Sequence, residues 1–245
     1  MTFAIIALNL LAWIVIQGAG SPLAVATSVC NQGLIAAELT LKAPPGTSFE
    51  MDPRLGLVCQ TDPGRQPLNL LTSMFLHGSW IHLLGNMWFF WIFGNNIEDS
   101  MGRGRFLVFY LLCGLAAALT QVVLNPASLV PMVGASGAIS GVMGAYLVLY
   151  PRVRVYALVP LVFFITTVAL PAWAMLGYWM LLQFFGVLSS FGQESAGGVA
   201  FWAHVGGFIT GALLIKLFAR RDYIASHEGH WRPRRIGWGS SDREW

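Results

Sequence analysis

The chain has 245 residues, of which 56% are hydrophobic and only 10% are charged, and its formal net charge is +3. Soluble domains carry on average about a quarter charged residues, so this composition excludes an ordinary soluble globule, a disordered chain and a nucleic-acid-binding protein. With a mean hydropathy of +0.64, the chain fits only the membrane class.

The charged residues are clustered, and charge-free stretches lie between the clusters. These stretches are 1–37, 66–97, 106–151, 155–193 and 195–215. Because a membrane-spanning helix needs about 20 apolar residues, the third stretch holds two helices, separated by a polar segment with two prolines at 125–131. Each of the other four stretches is interpreted as holding one spanning helix. We therefore predict an all-α bundle of six membrane-spanning helices, near residues 3–19, 71–94, 106–124, 134–150, 171–188 and 199–218.

Two of the six assignments have alternatives. Stretch 155–193 is long enough for two helices, but we interpret 155–170 as an apolar segment at the membrane interface, followed after Pro171 by one span. Residues 1–20 could instead form a cleaved signal peptide. The absence of a basic region at the N-terminus and the polar Asn9 within the apolar run favour a retained helix.

Lysine and arginine are divided unevenly between the two sides that six spans would create. Eleven of them fall on the side of both termini, and three, Lys42, Arg54 and Arg65, fall on the other. The positive-inside rule makes the first side cytoplasmic. The sequence thus predicts a six-helix membrane domain over 1–221 with both termini in the cytoplasm, an outward loop at 21–70, and a polar cytoplasmic tail at 222–245 that contacts at most lipid headgroups.

The cysteines predict no metal centre. Cys113 lies within the third span, and Cys30 and Cys59 lie in the outward loop, where a disulfide forms only if that side is oxidising. From the sequence, a bridged pair and two free thiols are about equally expected. No cysteine or histidine spacing suits zinc, and we predict no metal and no cofactor.

Polar side chains inside spans are costly and mark functional sites by default. In the second span, His82 and Asn86 are four residues apart and therefore share a helix face, and His77 lies five residues earlier. These residues could line a polar cavity or could pair with the backbone as structural hydrogen bonds. The span alone favours the structural interpretation.

The fourth span begins with glycines at 134, 137, 141 and 144, whose spacing forms one continuous stripe along a helix. Ser136 lies in its first turn, close to unpaired N–H groups and the positive end of the helix dipole, where a developing oxyanion would be stabilised. The simpler alternative is that Ser136 only caps the helix.

The sixth span carries His204 on the same face as Gly207 and Gly211. If the glycine faces of the fourth and sixth spans pack together, His204 lies beside Ser136 and can act as the base that a serine nucleophile needs. No acidic residue lies within the predicted spans to complete a triad, so the expected unit is a Ser–His dyad.

These residues resemble the rhomboid family of intramembrane serine proteases, over about residues 3–218. The resemblance is carried by HxxxxHxxxN at 77–86, GNNIED at 94–99, GASG at 134–137 and AHVGG at 203–207. It implies a six-helix fold in which Ser136 is the nucleophile and His204 the general base. His82 and Asn86, with the Ser136 N–H, would form the oxyanion hole. His77 would support the site, as would Gly134, Gly137 and Gly207.

The resemblance also sets further expectations. Glu98 would anchor the loop after the second span, and the fifth span would flank the route of substrate access. Many relatives carry an aromatic residue four positions after the serine, where this chain has Ser140, and Ser140 is also a rival candidate for the nucleophile. The partners would be the lipid bilayer and transmembrane protein substrates whose helices unwind easily. The expected location is a bacterial plasma (cell inner) membrane, and the oligomeric state is open.

Two other functions were weighed. A catalytically inactive rhomboid-like protein that binds membrane clients would be expected to lack the serine or the histidine, and both are present. A transporter or channel would be expected to carry charged relay residues within its spans, and the predicted span cores contain none.

Overall fold

A computed structural model describes residues 1–52, 56–161, 164–190, 200–220 and 222–223. Helices dominate, and two β hairpins join them. The elements in chain order are α1 (Thr2–Val15), α2 (Pro22–Gln32), α3 (Ala36–Leu39), β1 (Ser48–Asp52), β2 (Leu57–Gln60), α4 (Asn69–Thr72), α5 (Trp80–Met101), α6 (Arg103–Leu124), α7 (Ser136–Leu149), β3 (Arg154–Leu161), β4 (Phe164–Pro171), α8 (Ala172–Ser190) and α9 (Phe201–Phe218), with short 3₁₀ turns at Gly18–Gly20 and Ser73–Phe75.

Six long helices, α1 and α5 to α9, lie at the six positions predicted as spans. Among the described helices, Arg103–Leu124 and Phe201–Phe218 are long and apolar enough to cross a membrane, and Thr2–Val15 and Ser136–Leu149 are shorter apolar helices. The helical class is therefore confirmed, and the crossing of the membrane by all six helices stays a prediction. The tail predicted at 222–245 lies, beyond residue 223, outside the described residues.

The second predicted span needs correction at both ends. The helix begins at Trp80 and not near 71, because Ser79 caps it by accepting a hydrogen bond from the His82 N–H at 3.1 Å. It continues to Met101 and ends at Gly102, whose φ of +83° suits glycine. The site histidines are therefore divided, with His77 in the preceding loop and His82 in the first turn of α5.

Helix α7 lies at the centre of the helical core. Every residue from Gly137 to Tyr146 is buried, and α7 contacts α5, α6, α8 and α9. Its glycines allow the approach of α9, because a Cβ on Gly207 would collide with the Gly137 carbonyl and a Cβ on Gly211 with the Gly141 carbonyl. The predicted packing of the two glycine faces is thus present, and it brings the two helix backbones into direct contact.

The apolar segment expected at 155–170 is a β hairpin. Strands β3 and β4 pair antiparallel from Arg154 opposite Pro171 to Leu161 opposite Phe164. The segment is rich in valine, isoleucine and threonine, which are β-branched and favour strands. The prediction of an all-α chain is therefore wrong for this segment and for the β1–β2 hairpin of the outward loop, although it is correct for the helical core.

The loop predicted to face outward, 21–70, is an ordered substructure. Cys30 of α2 and Cys59 of β2 form a disulfide, which answers the question that the sequence leaves open. Glu38 is buried in this loop and accepts a hydrogen bond from the Asp62 N–H at 2.9 Å. Burial raises the pKa of the Glu38 carboxyl in spite of this hydrogen bond.

Glu98, near the end of α5, connects this helix to the start of α1. Its carboxylate accepts hydrogen bonds from the Thr2 N–H at 2.7 Å and the Thr2 hydroxyl at 2.8 Å. The Arg103 guanidinium, at the start of α6, lies 3.8 Å away. Glu98 thus links the end of α5 to the starts of α1 and α6.

Candidate active site

Ser136 is the first residue of α7, and the backbone at Gly134 determines what it faces. Gly134 has a φ of +124°, and its N–H donates a hydrogen bond to the Ser73 carbonyl at 2.9 Å. A Cβ at this position would lie 2.9 Å from the His82 ring and 3.6 Å from Ser136 Oγ. Only glycine suits both the dihedral angle and the narrow space. The absence of a side chain at Gly134 therefore leaves room for the His82 ring near Ser136.

His204, in the first turn of α9, reaches Ser136 directly. Its Nε2 lies 2.8 Å from Ser136 Oγ, although 68 residues separate the two in sequence. This contact depends on the close approach of α7 and α9 at Gly137 and Gly207. The structure thus places the predicted serine and the predicted base within hydrogen-bonding distance of each other.

The other ring nitrogen of His204 has a partner that the sequence reasoning missed. Nδ1 lies 2.7 Å from the side-chain oxygen Oε1 of Gln183 in α8. The Trp179 ring, one helical turn earlier, lies 5.8 Å from the imidazole, centroid to centroid. The sequence does contain a signal for this partner, because Gln183 is the only amide side chain in the predicted span 171–188.

The two predicted side-chain oxyanion donors differ in position. His82 Nδ1 accepts a hydrogen bond from the Gly78 N–H at 3.3 Å, so the proton of the neutral ring is on Nε2, the nitrogen that faces Gly134 and Ser136. Asn86 is buried one turn further along α5, and its amide donates to the His82 carbonyl at 2.9 Å. Of the pair, only His82 is among the described residues that line the cavity beside Ser136.

His77 is fully buried and is held through its backbone. Its N–H donates to Gln17 Oε1 at 2.8 Å, and its carbonyl accepts from Gln17 Nε2 at 2.7 Å. The His77 ring packs edge-on against the His82 ring, with centroids 5.2 Å apart. His77 therefore supports His82 and does not touch the serine, and Gln17 is a second positioning residue that the sequence reasoning missed.

Ser140, the rival serine, is turned toward its own helix. It is 1% exposed, and its hydroxyl donates to the Ser136 carbonyl at 2.6 Å. An aromatic ring does lie beside His204, but it belongs to Trp179 of α8 and not to the residue four positions after Ser136.

A cavity of about 240 Å³ opens beside the Ser–His pair. The cavity is lined by Ser136, His82 and His204 and by small residues of α6, among them Gly114 and Ala117. Within the described part of the chain, no cluster of three histidine, cysteine or acidic residues has the arrangement of a metal site. The chemistry that this arrangement offers is that of a hydroxyl, an imidazole base and an N–H donor around one small space.

The part of the chain that holds Ser136, His204 and His82 is similar to known proteins. The rhomboid domain family model matches residues 64–221. The chain is 41% identical to the rhomboid protease GluP of Bacillus subtilis over 32% of this chain and 15% of that protein, and 38% identical to the putative rhomboid protease YdcA of the same organism over 32% and 39%. It is 26% identical to the mitochondrial rhomboid protein 1 of Saccharomyces cerevisiae over 64% and 43%.

The chain spans less than half the length of each of these relatives. Some relatives are named as proteases and others only as rhomboid-like proteins, and both bacterial and mitochondrial proteins are among them. The family match covers the region from the end of the outward loop to the end of α9, and it includes the site residues described above except Gln17. This chain is a membrane protein that belongs to the rhomboid family.

Proposed function

We propose that the protein is an intramembrane serine endopeptidase that uses Ser136 and His204 as a catalytic dyad. The observation that carries the proposal is the 2.8 Å contact between His204 Nε2 and Ser136 Oγ beside a cavity. A neutral imidazole at this distance is placed to take the serine proton as the hydroxyl attacks a carbonyl carbon.

The reaction would proceed in two stages. Ser136 Oγ attacks the scissile carbonyl, and its proton passes to His204 Nε2. The negative charge on the carbonyl oxygen is stabilised by the Ser136 N–H and by side-chain donors, of which His82 Nε2–H is the best placed and Asn86 is the second candidate. The intermediate collapses to an acyl-enzyme as His204 gives its proton to the leaving amine. Water then attacks the acyl group as His204 takes its proton. The bond between the acyl carbon and Ser136 Oγ breaks, His204 returns the proton to Oγ, and the carboxylic acid product leaves.

The proposed substrates are transmembrane proteins. The carbonyl of an intact helix is hydrogen-bonded within the helix, so cleavage needs a segment that unwinds easily near small or helix-breaking residues. Polar side chains that line a protein cavity allow water at membrane depth. We further propose the six-span topology with both termini in the cytoplasm, as the charge distribution favours. The proposed location is the plasma membrane of a bacterium.

The decisive experiment compares variants of the purified protein, reconstituted with a model transmembrane substrate. Ser136→Ala and His204→Ala are each expected to lower kcat by about 10³-fold or more, since the nucleophile and its base act as one unit. Ser140→Ala is the matched serine control and should retain cleavage. If the parent protein binds the substrate but never cleaves it, the protein is an inactive rhomboid-like protein. If Ser136→Ala cleaves as fast as the parent, the dyad is wrong.

A further inference from the structure

Helix α8 carries a polar side-chain contact to the dyad that the Ser–His mechanism does not use. Gln183 Oε1 lies 2.7 Å from His204 Nδ1, on the side of the ring away from Ser136. An amide oxygen can only accept a hydrogen bond, so Nδ1 must be the nitrogen that carries the proton. The Nε2 lone pair of the neutral ring is then free to accept the Ser136 hydroxyl proton, as a general base requires.

A second side chain on the same face of α8, Trp179, also packs against the imidazole of His204. Trp179 and Gln183 are four residues apart and therefore point in the same direction from α8. The Trp179 ring lies 5.8 Å from the His204 ring and 6.2 Å from the Phe208 ring of α9, where the two aromatic planes are stacked. Gln183 thus contacts the edge of the imidazole at Nδ1, and the Trp179 ring packs beside the imidazole at a tilt of 41°.

The rest of this part of α8 offers little that would hold the helix in place by itself. Leu181, Leu182, Phe184 and Phe185 are each about half exposed on the outer side of the helix, whereas the buried Ala172 and Leu176 lie in its first turns. The contact between Gln183 and His204 is therefore a specific polar link between α8 and the site, in a region where apolar burial is sparse.

We propose that Gln183 is a positioning residue that fixes the tautomer and the orientation of His204, in place of the acidic residue of a Ser–His–Asp triad. The inference rests on the proposed protease function. A neutral amide supplies an acceptor without burying a charge in the membrane, which would be costly. It orients the base but stabilises the imidazolium less than a carboxylate would.

The test uses the full-length protein in detergent micelles and three variants. Gln183→Leu removes the acceptor at similar volume, Gln183→Glu retains an acceptor oxygen, and Leu182→Ala alters an exposed side chain of the same turn as a control. Gln183→Leu should lower kcat about 10- to 100-fold with little change in KM. This loss is smaller than the loss of general-base catalysis as a whole, because His204 itself is retained. Gln183→Glu should restore most of kcat, and Leu182→Ala should match the parent.

A second measurement does not depend on activity. In ¹⁵N-histidine-labelled protein, with the His204 signals assigned by comparison with His204→Ala, the parent should show the proton on Nδ1, and Gln183→Leu should lose this preference. The proposal is overturned if Gln183→Leu keeps the parent tautomer, or if its kcat equals that of the parent. If the parent cleaves nothing, the proposed function fails, while the tautomer of His204 still decides the role of Gln183.

Discussion

The hydrogen-bond partners of the two site histidines predict that their protons lie on opposite ring nitrogens, and in each case the partner of Nδ1 carries the prediction. His204 Nδ1 faces the Gln183 oxygen, so Nε2 is left as a base toward Ser136. His82 Nδ1 accepts from the Gly78 N–H, so its Nε2 carries the proton toward the same space. One imidazole is thereby set to accept a proton and the other to donate a hydrogen bond, as nucleophilic attack and oxyanion stabilisation require.

This arrangement predicts unequal roles for the two oxyanion candidates. His82→Ala should lower kcat by about 100-fold, as loss of one oxyanion donor does in other serine proteases, with KM nearly unchanged. Asn86→Ala should cost less, about 10-fold or below, because its amide is already bonded to the His82 carbonyl. Steady-state kinetics on a transmembrane substrate measures both values.

Gly85→Ala is the matched control for these two substitutions. Gly85 lies between them in α5, and a Cβ there meets no atom within 4 Å. Its variant should have the kinetic constants of the parent. A larger loss of kcat in Asn86→Ala than in His82→Ala would contradict the assignment of His82 as the principal side-chain donor.

At the level of secondary-structure elements, the site depends on how closely α7 and α9 approach. The helices touch through backbone atoms, because Gly207 and Gly211 of α9 face the carbonyls of Gly137 and Gly141 in α7. Ser136 and His204 are each at the start of one of these two helices. A small separation of the helices would therefore lengthen the hydrogen bond between the serine and the base.

Alanine at the contact glycines should destabilise the fold. Gly207→Ala and Gly211→Ala each place a methyl group against a backbone carbonyl that cannot rotate away, and overpacking of this kind costs about 1–3 kcal/mol. Gly177→Ala in α8 is the control, since a Cβ there meets no neighbour and alanine favours helix by up to about 1 kcal/mol.

Thermal unfolding in detergent, followed by a thiol- or tryptophan-based signal, measures the difference. The midpoint should fall for the two α9 variants and stay or rise for Gly177→Ala. Equal midpoints in all three variants would show that the α7–α9 contact contributes nothing to stability.

At the level of the whole molecule, two features predict the orientation in the membrane, namely the positions of the lysines and arginines and the position of the disulfide. The disulfide between Cys30 and Cys59 is in the loop predicted to face outward, and disulfides persist on the oxidising side of a membrane. In the proposed six-span topology, the lysines and arginines are concentrated on the opposite side. The two features agree on which face of the protein is outside.

This agreement makes the topology testable. A reporter that is active only outside the cell should be inactive when fused after Trp245 and active when inserted at Gly46, an exposed turn of the outward loop. A reporter that is active only in the cytoplasm should show the reverse at both sites. Outside activity of the fusion after Trp245 would overturn the six-span topology and favour two helices within 155–193.

Much of this protein follows from its sequence, because a bilayer tolerates few polar side chains. The charge-free stretches locate the six long helices, and the few polar residues within them include Ser136, His204 and His82, which lie together in the structure. The glycine spacing identifies the faces of α7 and α9 that meet. Each of these signals is local, and helical periodicity converts it into a position on a helix face.

Only the tertiary structure shows the contacts between residues that are far apart in the sequence. The contact of Gln183 with His204 depends on how α8 lies against α9, and the hydrogen bonds of Gln17 to His77 span 60 residues. In an apolar run such as 155–170, the pattern of hydrophobic residues does not distinguish an interfacial segment from a β hairpin. The β structure is therefore visible only from the pairing of the two strands. The sequence alone identifies the candidate reacting groups, whereas the partners that orient them come from other elements and are set by packing.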